Sequence, residues 1–194
     1  MKILLIDADG VTLKKQGYFS EKISKEHNVP MEKMTPFYNN EFRKSQRGKA
    51  DLKAELIKYL PEWNWTKTVD EFVGYWFTTD AHPDEVVFSL IERIRASGIK
   101  VYLASDQERY RAEYMTESLN FRERLDGCFF SYKLGCKKSE PGFFDQVLKA
   151  LGADPKDVIF LDDDQTNVDV AAEFGIDARL YRSTDDLVAL IPNS

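Results

Sequence analysis

Short apolar runs that end in acidic residues mark out the chain. Residues 3–6 contain no alternating polar position, which predicts a strand buried on both faces in the interior of a parallel sheet. The runs at 101–104 and 158–161 predict two further strands of the same kind. Polar residues follow all three runs directly: Asp7 and Asp9, Ser105 and Asp106, and Asp162 and Asp163. Because parallel strands end at one edge of a sheet, we expect these side chains to lie close together.

From residue 83 onward, predicted strands and helices alternate. Apolar positions between 86 and 94 recur at helical spacing, and Gly98 follows as the expected end of that helix. The remaining pattern predicts strands at 101–104, 128–130, 158–161 and 178–181, and helices at 108–119, 143–151, 168–174 and 184–191. This alternation predicts an α/β fold, a three-layer Rossmann-like parallel sheet with helices on both faces.

Residues 14–82 differ from the rest of the chain in composition. They are rich in Lys, Glu, Asn and aromatic residues, and apolar positions at 52–60 and 69–77 recur at helical spacing. We expect about four helices that form a small inserted α-helical bundle, with Trp63, Trp65 and Trp76 in its core. The predicted organisation is therefore a core domain of residues 1–13 and 83–194 with a helical cap domain of residues 14–82.

Composition narrows the possible partners and compartments. The formal net charge of −6 argues against broad binding to nucleic acid or to a membrane surface. The two cysteines are too few for a disulfide framework, and no apolar run reaches the roughly 20 residues of a membrane span. The first strand starts at once, without the charged and apolar pattern of a signal peptide. These features predict a cytoplasmic protein.

The acidic residues after the strands raise two interpretations. Aspartates are common in solvated turns, so each pair taken alone fits a loop without further function. Three coincident clusters favour a site, because grouped carboxylates repel one another unless a cation joins them. Carboxylates without His or Cys ligands favour a hard cation such as Mg²⁺. An aspartate beside a second acid, a hydroxyl, a lysine and a cation suits phosphoryl transfer, which depends on positioning and charge neutralisation.

Four motifs in one order resemble those of the haloacid dehalogenase superfamily. Asp7-x-Asp9-Gly10-Val11 is similar to its first motif, and Ser105 after an apolar strand to its second. The run 138–141, Lys-Ser-Glu-Pro, resembles the segment that holds the third-motif lysine, and Asp162-Asp163-x-x-x-Asn167 resembles the fourth motif. The resemblance covers 1–13 and about 83–194, and residues 14–82 resemble the helical cap inserted in one subfamily. Many members of that subfamily are phosphatases of sugar phosphates or other small metabolites.

The resemblance implies a role for each matching residue. Asp7 would be the nucleophile that forms an aspartyl-phosphate, and Asp9 would act as general acid and then as general base. Lys138 would neutralise the nucleophile and the phosphoryl group. Mg²⁺ would be held by Asp7, by the backbone carbonyl of Asp9, by the carboxylate of Asp163, and by Asp162 directly or through water. Ser105 and the backbone N–H of Asp106 would bind phosphate oxygens.

Three residues near the motifs need separate comment. Asp106 stands where Asn is more usual, and its carboxylate either points away from the phosphate, caps the next helix or tunes the substrate. Lys137 directly precedes the lysine that matches the third motif, and we expect it to be a solvated loop residue. Asp9 favours a phosphatase or phosphomutase over a dehalogenase, because a halide leaving group needs no proton.

The predicted function is a Mg²⁺-dependent phosphatase of a small phosphorylated metabolite, with a sugar phosphate as one candidate. A phosphomutase and a non-catalytic binding or regulatory module of the same fold are the alternatives. A mutase needs a second anion site, for which the basic residues Arg43, Lys44, Arg47 and Lys49 are candidates, although a solvated helix end is the simpler interpretation.

Overall fold

A five-stranded parallel sheet forms the centre of the computed structural model, which describes residues 2–15 and 17–192. In chain order the strands are β1 Ile3–Ile6, β2 Lys100–Ser105, β3 Gly127–Phe130, β4 Val158–Asp162 and β5 Asp177–Leu180. Their order across the sheet is β3-β2-β1-β4-β5, and every neighbouring pair is parallel. The run at 3–6 is thus the central strand, as its continuous apolar sequence predicts.

Helices surround the sheet and fill the long connection between β1 and β2. Before β2 these are α1 Phe19–Glu26, α2 Met31–Phe37, α3 Arg43–Ser45, α4 Leu52–Tyr59, α5 Val69–Asp80 and α6 Glu85–Ala96. After β2 they are α7 Arg109–Glu113, α8 Phe121–Arg124, α9 Ser131–Leu134, α10 Pro141–Leu151, α11 Gln165–Glu173 and α12 Asp185–Val188. Two π-helical turns, Tyr38–Phe42 and Tyr114–Ser118, follow α2 and α7. The α/β fold is confirmed, although the helix predicted at 184–191 is only four residues long.

The register of the sheet brings the strand ends together. Ile6 pairs with Leu103 on one side and with Leu161 on the other. The backbone N–H of Asp7 still donates to the carbonyl of Leu161, at 3.0 Å, so the chain leaves the sheet immediately after this point. The residues that follow β1, β2 and β4 therefore meet at one edge.

Both faces of β1 are covered, which explains why the strand has no polar position. Leu4 and Ile6 face a cluster that contains the apolar side of α6, whereas Ile3 and Leu5 face a cluster built around α10. In the second cluster, the ring of Phe144 packs edge-on against Phe160 of β4, with ring centroids 5.0 Å apart. This arrangement is the helix–sheet–helix sandwich that the alternating pattern predicts.

The helices between residues 19 and 80 share a separate hydrophobic cluster. It is strongly aromatic, and Phe37, Trp63 and Phe72 have no exposed surface. Trp76 is also buried there, but Trp65 is only half-buried at its margin. No helix in the described part of the chain is long and apolar enough to cross a membrane.

The two connections between these helices and the sheet run side by side. Leu13 and Pro83 form an isolated antiparallel bridge. Flanking it, the N–H of Lys14 donates to the carbonyl of His82, and the N–H of Asp84 donates to that of Thr12, both at 2.9 Å. The chain therefore leaves and re-enters the sheet region at one place, close to the predicted boundaries at 13 and 83.

A buried carboxyl group starts α7, directly after the end of β2. Glu108 is 2% exposed, and its side chain accepts hydrogen bonds from the N–H groups of Tyr110 and Arg111 at 2.8 and 2.6 Å. Burial raises the pKa of Glu108 to about 7, against the opposing effect of those two N–H donors and of the Arg111 charge. The ionised form of Glu108 therefore caps α7 only at the cost of removing its charge from water.

Replacing Phe144 by Ala should lower the free energy of unfolding by about 3–5 kcal/mol, because it removes a fully buried ring and leaves a cavity between α10 and the sheet. Denaturant unfolding measures this change. Val86→Ala is the control, since Val86 is 62% exposed and its truncation should change stability by less than about 0.5 kcal/mol. Equal effects of the two substitutions would contradict the assignment of the core.

Glu108 should also make stability depend on pH. Between pH 4.5 and about 7 the native protein retains a proton that the unfolded chain has lost, so this group's contribution to stability decreases as the pH rises. Glu108→Gln keeps a capping oxygen but cannot ionise. Denaturant unfolding should show the stability of the wild type relative to this variant falling across that window, and a constant difference would refute the prediction.

Candidate active site

Asp7 lies at the tip of the central strand, with its carboxylate almost completely buried. Its Oδ1 accepts a hydrogen bond from the backbone N–H of Ala8 at 2.6 Å and lies 2.5 Å from Nζ of Lys138. Within the described residues, no hydrogen bond reaches the second oxygen, Oδ2. One oxygen is thus fixed in place, and the other remains available for chemistry.

Lys138 places one ammonium group between two carboxylates. Its Nζ is 2.5 Å from Asp7 Oδ1 and 2.6 Å from Asp162 Oδ2, and its side chain is 3% exposed. Burial disfavours the charged ammonium, but the charges of Asp7 and Asp162 outweigh this effect and raise the pKa of Lys138. Lys138 is therefore a permanent positive charge at the centre of the site.

The end of β4 supplies two further carboxylates. Asp162 is fully buried, and its Oδ1 accepts hydrogen bonds from the N–H of Asp164 at 2.8 Å and from the amide of Asn167 at 3.2 Å. Asp163 is more open and pairs with Lys15, at 2.9 Å. One oxygen each from Asp7, Asp162 and Asp163 lie within 4.8 Å of one another, a spacing from which the three could hold a metal ion.

The turn after Asp9 is shaped to admit one of these carboxylates. Gly10 has a φ of +82°, a left-handed conformation that other residues adopt only with strain. A Cβ at this position would lie 2.4 Å from Oδ2 of Asp163. Glycine is thus needed both for the turn and for the close approach of Asp163.

The charges at this edge do not balance. Burial raises the pKa of Asp7 well above its usual value, Lys138 lowers it, and the nearby charges of Asp162 and Asp9 raise it further. Asp9 pairs with Arg111 and Asp163 pairs with Lys15, whereas Asp7 and Asp162 share the single ammonium of Lys138. The donor set of hard oxygens and the excess negative charge both fit a divalent cation.

Asp9 faces the open side of the site, where two residues hold its carboxylate. Gln107 Nε2 donates to Oδ2 and Arg111 Nη2 donates to Oδ1, both at 2.7 Å. Neither Gln107 nor Arg111 was predicted as a site residue. Their side chains come from the loop after β2 and from α7, and no sequence motif marks this contact.

Arg111 also connects Asp9 to the helical segment. Its Nη2 lies 3.4 Å from Oδ1 of Asp80, at the end of α5. Oδ2 of Asp80 accepts a hydrogen bond from the indole N–H of Trp76, at 2.8 Å. A buried polar chain therefore runs from the aromatic cluster to the carboxylate of Asp9.

The end of β2 carries the remaining predicted residues. Ser105 is buried, and its Oγ accepts a hydrogen bond from Gln107 at 3.0 Å. Asp106 accepts from the backbone N–H of Lys138 at 2.9 Å and lies 3.4 Å from Nζ of Lys137. Asp106 therefore secures the loop that carries Lys138.

The structure contradicts one of the alternatives for Asp106 and the expectation for Lys137. Asp106 does not cap the next helix, because Glu108 occupies the N-cap of α7. Lys137 is not a freely solvated residue, since its ammonium pairs with Asp106 and its side chain is only 24% exposed. Both errors arise from contacts between distant segments, which local spacing does not specify.

A cavity of about 630 Å³ opens between the strand tips and the helical segment. Asp9, Asp106 and Asp163 line it on the sheet side. Of the four basic residues considered for a second anion site, Arg43 alone is among the residues lining this cavity. Arg47 instead pairs with Glu140 through two nitrogens, at 2.7 and 3.1 Å. The basic residues thus do not converge on one point.

Comparisons with known proteins place this site in a wider group. A stretch of 71 residues is 35% identical to flavin mononucleotide hydrolase 1 of Arabidopsis thaliana, and covers 37% of this chain and 29% of that protein. Over 94 residues the chain is 28% identical to the sesquiterpene phosphatase astK of Aspergillus oryzae, across 48% of each protein. The aligned part therefore spans less than half the length of either curated relative.

Similarity in fold extends over the whole chain. A HAD family enzyme of Bacteroides thetaiotaomicron superposes with a TM-score of 0.84 at 21% identity, covering 100% of this chain and 99% of that one. A variant of that enzyme has been solved in complex with magnesium and inorganic phosphate. The family model for haloacid dehalogenase-like hydrolases matches residues 1–175. With nine-tenths of its length matched in this way, the chain belongs to the haloacid dehalogenase-like hydrolases.

Proposed function

We propose that this protein is a Mg²⁺-dependent phosphatase that hydrolyses a small phosphorylated metabolite through an aspartyl-phosphate on Asp7. The observation that carries the proposal is the arrangement of the Asp7 carboxylate, whose Oδ1 is held by Ala8 and Lys138 while Oδ2 is left without a hydrogen bond from the described residues. A fixed, partly free carboxylate beside a permanent cation suits nucleophilic attack on a phosphoryl group. The two curated relatives, which carry the names of a hydrolase and a phosphatase of phosphate esters, agree with this direction.

The metal fits the residues that the structure brings together. The carboxylates of Asp7, Asp162 and Asp163, with the backbone carbonyl of Asp9, would hold Mg²⁺. When bound, the ion would supply positive charge to neutralise the phosphoryl oxygens. The magnesium and phosphate complex of the Bacteroides enzyme of the same fold supports this choice of ion.

In the first step, Oδ2 of Asp7 would form a bond to phosphorus as the bond from phosphorus to the ester oxygen breaks. The leaving oxygen takes a proton from Asp9. In the second step, Asp9 accepts a proton from water, whose oxygen attacks phosphorus and releases Asp7 and inorganic phosphate. Lys138 stabilises the charge on Asp7 throughout, and Ser105 with the N–H of Asp106 would bind phosphate oxygens.

The contacts of Asp9 fix the direction of its carboxylate. Arg111 Nη2 and Gln107 Nε2 each donate a hydrogen bond to one of its oxygens. Because each carboxylate oxygen can accept more than one hydrogen bond, both partners can stay in place while Asp9 exchanges a proton with the ester oxygen and then with water.

We also propose that residues 14–82 form a cap domain on a core of residues 1–13 and 83–194. The separate aromatic cluster of residues 19–77 and the paired connections at 12–14 and 82–84 support this division. Limited proteolysis should cut first beside the exposed residues Lys14, Lys15 and Tyr18 and leave both units compact. Early cleavage throughout 19–80 would argue against an independent cap.

Asp7→Asn should reduce Mg²⁺-dependent phosphate release by several orders of magnitude, because it removes the covalent nucleophile while preserving size. Phosphate release is measured across a panel of phosphate monoesters, with and without a chelator. Asp164→Asn is the matched control from the same acidic run. Asp164 caps α11 by accepting from the N–H of Thr166, a role that Asn also fills, so this variant should keep full activity.

Wild-type turnover by Asp7→Asn would overturn the mechanism. If the wild-type protein binds Mg²⁺ but releases no phosphate from any ester, the result would favour the non-catalytic binding module. Transfer of phosphate within a substrate, without its release, would favour the phosphomutase.

A further inference from the structure

The wall of the cavity on the side of the helical segment carries a group of aromatic and apolar side chains. They are Tyr18, Phe19, Met31, Tyr38, Phe42 and Trp76, and the polar side chains of Ser20, Thr35, Asn39, Arg43 and Gln46 line the same side. Several of these rings pack against Trp76. The Phe19 ring stacks on it with centroids 5.3 Å apart, and the centroid of the Phe42 ring also lies 5.3 Å from that of Trp76, with the two planes tilted. Aromatic walls bind apolar surface well, whereas hydroxyl groups pressed against them lose hydrogen bonds to water.

Three buried polar atoms of residues that line the cavity have no hydrogen-bond partner. They are Tyr38 Oη, Asp80 Oδ1 and Arg111 Nε, and in the described part of the chain they are the full set of such side-chain atoms. All three residues line the cavity. Buried polar atoms in proteins are nearly always satisfied. Because Asp80 Oδ1 still lies 3.4 Å from Arg111 Nη2, Tyr38 Oη is the atom whose missing partner points to a ligand with a hydrogen-bonding group.

The cavity is also large for a phosphate alone. Its volume of about 630 Å³ falls in the range of pockets that enclose a whole organic ligand. The phosphoryl group would occupy only the part beside Asp9, Asp106 and Asp163, which line the cavity at the strand tips. The remaining space must accept the leaving group of the ester.

We infer that the substrate is a phosphate ester of a ring-bearing, mostly apolar alcohol with a hydrogen-bonding group, rather than of a sugar. This inference rests on the proposed phosphatase function and specifies its substrate class. The ring system would lie against Phe42 and Trp76. A hydroxyl group on it could accept from Tyr38 Oη.

Two primary alkyl phosphates separate the substrate classes without changing the bond that breaks. They are 2-(2-naphthyl)ethyl phosphate and glucose 6-phosphate. The wild-type protein should show a kcat/KM at least tenfold higher for the naphthyl ester, and a further increase for one of its ring-hydroxylated isomers. A tenfold preference corresponds to about 1.4 kcal/mol of differential binding in the transition state.

Variants in the wall test the cause of this preference. Phe42→Ala should lower kcat/KM for the naphthyl ester about tenfold and leave glucose 6-phosphate nearly unchanged. Tyr75→Ala is the matched control, because Tyr75 is a half-buried ring of the same cluster that does not line the cavity. It should leave the ratio of the two substrates unchanged.

Tyr38→Phe tests the hydrogen-bonding group separately. Removing a buried hydroxyl that has no partner should not destabilise the fold. This variant should lose the advantage of the ring-hydroxylated ester and retain activity on the plain naphthyl ester. An unchanged advantage would remove Tyr38 from the proposed contact.

The outcomes distinguish this inference from the function on which it rests. If glucose 6-phosphate is hydrolysed as well as the naphthyl ester or better, the substrate class is wrong and the phosphatase proposal stands. If no ester is hydrolysed, the phosphatase proposal fails, and calorimetry with 3-(2-naphthyl)propylphosphonate and a glucose phosphonate tests the cavity directly. Preferential binding of the naphthyl phosphonate would support the aromatic wall as a binding surface, and equal or no binding would overturn it.

Discussion

The ammonium of Lys138, shared between Asp7 and Asp162, is the interaction on which the site depends. Without it, two buried carboxylates from neighbouring strands would face each other in a region of low dielectric constant. Buried ion pairs of this kind add little net stability, but loss of one partner is costly because a charge then remains unpaired. The lysine therefore allows strands β1 and β4 to present acids at the same edge.

The loop that carries Lys138 is held from several directions. The carboxylate of Asp106 accepts a hydrogen bond from the backbone N–H of Lys138. The carboxylate of Glu140 accepts from the backbone N–H of Lys137 and also pairs with Arg47 of the helical segment. Asp9 is similarly tied to that segment through Arg111 and Asp80. The charged groups of the site are thus positioned by contacts across the cavity, in addition to the sheet.

Much of this fold could be predicted because its signals are local. The unbroken apolar run at 3–6 specifies a central strand, and the strand ends of a parallel sheet necessarily share an edge. Contacts between segments far apart in sequence could not be predicted in the same way. Arg111 lies 102 residues from Asp9, and the Arg47–Glu140 pair spans 93 residues, so no spacing rule connects them. Trp63, Trp65 and Trp76 were expected as core, and the structure adds that Trp76 also lines the cavity.

The turn at Gly10 has a consequence for how this sequence can vary. Any side chain at position 10 would have to adopt a strained backbone conformation and would also meet the carboxylate of Asp163. These two positions lie 153 residues apart, yet a change at the first requires the second to move or shorten. Mutational tolerance at the two positions is therefore coupled by steric exclusion, independently of any charge that they share.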